Sequence, residues 1–363
     1  RCHHADERYM NYIGSKYSLR DFLEAGITRN VNSDCKVLCD VFAGTGVVGA
    51  HFKQKGFKII SNDIQYYSYC LNRALVGINR VPSFCGVLND LIPAAQSCDA
   101  TDTVLEYLNN LDGKSGFIYR NYCPGGTEGA EFKRQYFSDE NGMRCDAIRM
   151  QIEDWWQADK LTEDEYFYLL ASLIDAADRV ANTASVYGAF LKHIKKSALK
   201  PLQLKHLAIV ESDEEHEVHN VNGQELVERL SCDVLYMDPP YNHRQYSANY
   251  HVLETIARYD DPDLKGVTGL RPQDDQKSDF CMKRRALPAF DEMVRKTSAQ
   301  YVFLSYNSEG IMGKDEILQT MGQYGEVDLM TRNYQRFRAD VDRENRVYKA
   351  DQVEEYLFCL SKQ

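Results

Sequence analysis

Val37-Leu38-Cys39-Asp40-Val41-Phe42, then Ala43-Gly44-Thr45-Gly46, then Val47-Val48-Gly49-Ala50, is the stretch that decides the fold. The first six residues read as a buried strand, the paired glycines as a tight turn, and the apolar run after them as the opening of a helix. Glycine lets the chain turn sharply and come close to a ligand, and a helix that starts there aims backbone N–H groups at the same spot. Working outward, Lys58 to Ser61 reads as a second strand ending at Asn62-Asp63, and a helix is expected from about Ser68 to Ile78. Together these make a βαβ unit.

A carboxylate about 20 residues beyond such a glycine turn is the usual partner of ribose hydroxyls. Asp63 stands there. The turn is shorter than the dinucleotide GxGxxG pattern and no second phosphate-binding signature follows, so an adenosyl ligand, S-adenosylmethionine, is favoured over NAD.

Further along, Thr103 to Leu111, Cys145 to Trp156 and Glu163 to His193 carry apolar residues at three and four spacing, with Thr162 placed as an N-cap before Glu165. Strand signals return at Leu207 to Val210, Cys232 to Met237, Tyr301 to Ser305, Val327 to Thr331 and Glu355 to Leu360. Strands alternating with helices predict a mixed sheet whose two parts flank a helical insertion. The expected division is 10–86 with 207–363 as one domain and 87–206 as the insert.

The second decisive stretch is Val234-Leu235-Tyr236-Met237-Asp238-Pro239-Pro240-Tyr241. Two prolines in a row stiffen the chain and remove two N–H donors just where an α/β sheet presents its ligand site. A loop that merely ends a strand needs neither the acid nor the aromatic that flank them. Chemistry accounts for all four residues. An adenine N6 lone pair is delocalised into the ring, and accepting its hydrogens on the Asp238 carboxylate and the Pro239 carbonyl localises that pair. Tyr241 offers a face on which an extruded base stacks.

The order Asn11-Tyr12-Ile13-Gly14-Ser15-Lys16, Asp40 to Gly46, Asn62-Asp63 and Asp238 to Tyr241 resembles the D12 class, or α group, of DNA adenine-N6 methyltransferases of restriction-modification type. Asp238 to Tyr246 with Asn249-Tyr250-His251 and Leu253-Glu254-Thr255, and the stretch from Ala181-Asn182-Thr183 to Phe190-Leu191-Lys192, are similar to one branch of it. The resemblance implies an α/β, Rossmann-like S-adenosylmethionine-dependent methyltransferase sheet with an inserted, mostly helical target-recognition domain. It implies that Tyr12 and Lys16 reach the methionine end of the cofactor. Asp40, Phe42, Ala43, Gly44, Thr45 and Gly46 would cradle it, and Asp63 with Ile64 would hold its ribose. Val221 and Asn222 would touch its adenine, and Asp238 would adjoin it. The family often carries an acid where Asn222 stands.

Double-stranded DNA is the implied substrate and a cognate restriction endonuclease the implied partner. Arg244, Gln245 and Tyr246 beside the motif, and Arg336 and Arg338, are the candidate DNA contacts, with Lys283-Arg284-Arg285 and Lys195-Lys196 as further basic clusters. The competing readings are an RNA adenine methyltransferase and a catalytically silent subunit of the same fold. Such silent subunits usually lose the acid or the aromatic of the motif, and both stand here.

Composition sets the outer bounds. The 363 residues are 44% apolar and carry a net charge of −11, which argues against non-specific coating of nucleic acid but leaves room for a local basic face. Apolar runs fall far short of the roughly 20 residues a membrane span needs, and no charged-then-apolar leader stands out, so a cytoplasmic protein is expected. The 11 cysteines lack CxxC spacing, so reduced thiols are expected and no metal is assigned. Cys2, His3 and His4 precede Met10, itself a candidate natural start.

Overall fold

The computed structural model describes residues 16–91, 99–335 and 352–363. These fall into two compact units: one made of Lys16–Arg80, Ile209–Asn249 and Gln273–Gln363, the other of Val81–Ala208 and Tyr250–Pro272. Tyr12, Arg336 and Arg338 lie outside the described residues.

The first unit is built on a seven-stranded sheet. Its strands are β1 (Val37–Asp40), β2 (Lys58–Asn62), β3 (Glu217–His219), β4 (Val234–Met237), β5 (Tyr301–Asn307), β6 (Gly325–Gln335) and β7 (Gln352–Lys362). They lie in the order β3-β2-β1-β4-β5-β7-β6. Strands β1 to β5 run parallel, and β7 runs antiparallel between β5 and β6. Every residue of β4 and β5 is buried, as expected where helices cover both faces of a parallel sheet.

Side chains alternate between the two faces. Leu38, Val234, Tyr236, Phe303 and Leu357 pack with Leu19, Leu23 and Ile27, the last two on α1 (Arg20–Asn30). Cys39, Leu235, Met237, Val302, Leu304 and Phe358 meet Ala289, Phe290 and Met293 of the helix Ala286–Lys296 on the other face. Leu23 and Ile27 are essentially inaccessible, and burying each stabilises the fold by roughly 1.5–3 kcal/mol. The strand order reverses between β1 and β4. The crevice beyond their C-terminal ends is therefore where a ligand belongs.

The helical unit contains the helices Ala100–Asn109, Asp139–Gln157, Glu163–Val180 and His251–Arg258. Thr162 caps its helix, with its side chain on Glu165 N and the Glu165 carboxylate on Thr162 N. That helix stops at Val180 instead of running to His193. Asn182 is the reason: its Nδ2 donates to the Gln135 and Leu191 carbonyls, and its Oδ1 accepts from Lys195 N, which closes 183–195 into a loop.

Leu207 to Val210 is not a strand. Its apolar alternation is answered by helix side chains, with Leu207 N on the Tyr168 hydroxyl and Ser172 Oγ on the Lys205 carbonyl. Tyr250–Pro272 joins the helical unit, though the sequence reading kept it in the other domain. The buried Arg149 guanidinium donates to the Ile256 and Ala257 carbonyls, capping the helix His251–Arg258, and Arg134 holds Gly266 and Val267.

Candidate active site

The glycine turn sits between β1 and α2 (Val47–Gln54). Gly44 and Gly46 have φ of 52° and 80°, left-handed values that disfavour any side chain, and a Cβ on Gly46 would lie 3.0 Å from Asn72 Oδ1. The turn is held from below by α3 (Tyr66–Asn72): Asn72 Nδ2 donates to Gly44 O at 3.0 Å, and Ser68 Oγ donates to the same carbonyl. Asn72 is fixed in turn by Ser61 Oγ. Sequence reasoning missed Ser68 and Asn72, although two polar residues four apart inside an otherwise apolar helix were the visible signal.

Asp63, just beyond the end of β2, accepts from Gly44 N and Gln65 N, both at 2.9 Å. The glycine turn and the acid are thus one hydrogen-bonded assembly. Phe42 is half-buried edge-on to Phe280, and Ala43 and Thr45 are buried. The Ile64 carbonyl accepts from Gln276. Val221 is exposed and exchanges backbone hydrogen bonds with the Asn62 side chain. Asn222 N-caps the short helix Gly223–Leu226 through Gln224 N, a task that an amide oxygen performs as well as an acid.

Strand phase assembles the charged centre. Asp40 continues the alternation of Leu38, Asp238 that of Val234 and Tyr236, and Glu355 that of Leu357, so all three acids belong to the α1 side of the sheet. Lys16, immediately before the Leu19-to-Ile27 packing, reaches the same place. Its Nζ lies 3.2 Å from Asp238 Oδ1 and 3.9 Å from Glu355 Oε2, with its side chain 7% exposed. Burial pushes the Asp238 carboxyl up to about 6, against the pull of Lys16. Burial also works against the Lys16 charge, but Asp238, Glu355 and Tyr241 outweigh it and hold the ammonium above its ordinary range.

Asp40 is buried, and no side chain among the described residues hydrogen-bonds its carboxyl, which has the Phe42 backbone beside it. Burial, with Asp238 and Asp63 nearby, raises its pKa well above normal. The native protein therefore holds a proton that the unfolded chain releases, and stability falls as pH rises from the unfolded carboxylate value through the native one. Asp40→Asn removes that dependence. Thermal melts should show the variant level with wild type near pH 4 and progressively more stable than wild type as pH rises towards 8, because only the wild type must then either lose its proton into a buried site or bind one that the unfolded chain has released. A parallel pH dependence in the two proteins would contradict the placement.

Pro239 and Pro240 carry the chain to Tyr241, whose carbonyl accepts from Ile311 N and whose ring is partly buried against the core. Beyond it, Arg244 is exposed and Tyr246 opens the short helix Tyr246–Asn249. Gln245 is tied down: its amide donates to Ser278 O and accepts from Ser278 N. It braces the loop. Lys195 likewise spends its ammonium on the Thr183 carbonyl, whereas Lys283, Arg284 and Lys196 are exposed.

A parallel sheet with one antiparallel strand inserted next to its edge, a glycine turn braced by an acid, and Asp-Pro-Pro-Tyr at the switch point define an S-adenosylmethionine-dependent methyltransferase fold. Residues 12–320 match the family model of D12 class N6 adenine-specific DNA methyltransferases, and the chain belongs to that family. It is 45% identical to the type II methyltransferase M.NlaIII of Neisseria lactamica, over 97% of this chain and 99% of that one. It is 35% identical to M.CviAII of Paramecium bursaria Chlorella virus 1, over 97% and 98%. M.FokI of Planomicrobium okeanokoites is 36% identical over 97% of this chain, which spans 53% of its length.

Proposed function

We propose that this chain transfers a methyl group from S-adenosylmethionine to N6 of an adenine flipped out of double-stranded DNA, as the modification enzyme of a restriction-modification system with a cognate endonuclease. The observation that carries the reading is the acid cluster at the switch point: Asp238 and Glu355 share a single Lys16, and Asp40 is buried next to Asp238. A cationic ligand is what such a site lacks. S-adenosylmethionine brings an ammonium and a sulfonium, and a positive charge beside Asp40 would draw that buried carboxyl, which otherwise keeps its proton, towards its ionised form. Phe42 and Gly44 to Gly46 would line its course, Asp63 its ribose, and Val221 its adenine.

When bound, the cofactor supplies a methyl group on a positively charged sulfur. The chain's own task is to present the acceptor. Asp238, ionised and directed by Lys16, accepts a hydrogen from N6 and steadies the positive charge that develops as the N–C bond forms and the S–C bond breaks. The proton shed by N6 leaves through the carboxylate. Tyr241 stacks on the base, and exposed Arg244 is placed for a flanking phosphate. We assign target reading to the helical unit, from its place between the two motifs and its exposed Lys192, His193, Lys196 and Lys200.

Incubation with genomic DNA and labelled cofactor, followed by mapping of the modified base, tests this reading. N6-methyladenine at one short sequence is the expected result; label in RNA only, or on cytosine, would overturn it. Asp63→Ala should weaken cofactor binding tenfold or more by calorimetry, since a charged hydrogen bond is worth roughly 1.5–3 kcal/mol and Gly44 loses its brace as well. An unchanged affinity would remove Asp63 from the site.

A further inference from the structure

Glu355 enters no motif, lies 117 positions beyond Asp238, and yet shares its lysine. Its neighbours on β7 explain why it is not there for stability. Leu357 and Cys359, two and four residues on, face the same side and are buried in the apolar cluster with Leu19, Leu23 and Ile27. A third apolar residue would continue the pattern at lower cost, because a buried carboxylate loses several kcal/mol of hydration that only a well-placed partner restores. Glu355 is 12% exposed, and its Oε2 has no hydrogen-bond partner among the described residues. Among the described residues its ion pair is with Lys16, at 3.9 Å, while the same ammonium lies 3.2 Å from Asp238; Arg332, its cross-strand neighbour on β6, is exposed.

We propose that Glu355 is a positioning residue for methyl transfer, holding the Lys16 ammonium off centre so that Asp238 stays a basic acceptor for the adenine amino group. This rests on the function proposed above. The physics is a division of one positive charge between two acids. Lys16 must be close enough to keep Asp238 ionised in a buried site, yet a lysine held by Asp238 alone would neutralise it and compete with the substrate N–H for its oxygens. Glu355 draws part of the ammonium's field away. Burial raises the Glu355 carboxyl above its usual range and Lys16 opposes that rise; where it is ionised, its negative charge disfavours charge on Asp238 and so keeps that carboxylate proton-hungry.

The other groups facing Asp238 do not duplicate this. Asp40 on β1 and Tyr236 on β4 interact with it but carry no positive charge, and Tyr241 with Glu309 beside it lies on the side of the catalytic loop. Removing the Glu355 charge therefore acts in one direction by both routes: the Lys16 field falls wholly on Asp238, and a repelling charge disappears. Both lower the pH at which Asp238 gains its proton.

Carbon-13 titration of the apo protein, labelled in its aspartate carboxyls and assigned with Asp238→Asn, reads this without turnover. In Glu355→Gln the Asp238 midpoint should fall by roughly half a unit to one unit, and in Glu355→Asp, which keeps the charge, it should stay near wild type. On duplex DNA, the acid limb of the single-turnover rate should move down by the same amount in Glu355→Gln, and the plateau should drop several-fold. A midpoint that does not move, or one that moves equally in the Gln and Asp variants, overturns the proposal even in an active enzyme. Wild-type protein that fails to methylate DNA would count instead against the proposed function, and the titration would still decide the role of Glu355.

Discussion

Asp238→Ala should abolish methyl transfer while leaving the fold intact. Asp238 lies between the fully buried strand β4, which ends at Met237, and a diproline, so its backbone course is set by neighbours that the substitution does not touch. Only the carboxylate is lost. Two effects then combine: the N6 lone pair stays delocalised in the ring, and the charge that grows on nitrogen has nothing to oppose it. Losing a preorganised group of this kind costs roughly 3–4 kcal/mol of transition-state stabilisation, about a hundred- to thousandfold in rate.

The finer variants separate these effects. Asp238→Asn keeps an acceptor oxygen without the charge and should retain little activity. Tyr241→Phe keeps the stacking face and should retain much of it, whereas Tyr241→Ala should not. Rates are read on duplex DNA at saturating cofactor. Circular dichroism is needed alongside, because Asp238→Ala also takes from Lys16 its nearer partner. Near wild-type turnover in folded Asp238→Ala would end the proposed mechanism.

The sheet and the position of Asp238-Pro239-Pro240-Tyr241 at its switch point were legible in the sequence because both are written in short-range patterns. Apolar runs such as Val234 to Met237 and Tyr301 to Leu304 have the length and position of buried parallel strands, and a glycine pair between a strand and a helix has few other uses. What the sequence hid was set by contacts between distant residues. Nothing local marks Glu355 as different from a surface acid until β7 is seen paired with β5 and facing α1. Nothing local ends the helix at Val180 either, since the Asn182 side chain acts through partners at 135, 191 and 195. Lys195 and Gln245 read as candidate nucleic-acid contacts from their residue types, and nothing local shows the tertiary hydrogen bonds that they make to Thr183 and Ser278. Lys16 shows the same limit. The resemblance directs it to the cofactor's methionine end, and its pairing with Asp238 is visible only once Lys16 and β4 are seen on one side of the sheet.

That pairing yields a pH-dependent expectation for Lys16→Met. Methionine fills a similar apolar length without the charge, so the packing leading into α1 is kept and the electrostatics alone change. With Lys16 in place the Asp238 carboxyl titrates near 6, because the ammonium offsets much of the cost of burial. Removing an opposite charge at this range raises a carboxylate by roughly one to two units. The acid limb of the rate profile should therefore move up towards 7 to 8, opposite in direction to the shift expected of Glu355→Gln. At pH 7, where most wild-type Asp238 is ionised, a shift of about two units leaves roughly a tenth of the variant molecules competent. The rate should fall about tenfold in proportion. The same argument requires recovery at high pH: by about pH 9 the variant's carboxylate is ionised again, and most of the lost rate should return if the lysine's task is to keep that charge in place. Single-turnover methylation of duplex DNA from pH 5.5 to 9.5, at saturating cofactor, distinguishes the cases. A uniform loss across the range would mean that Lys16 touches substrate or cofactor in the reacting complex, and an unmoved limb would mean that the ion pair does not govern Asp238 at all.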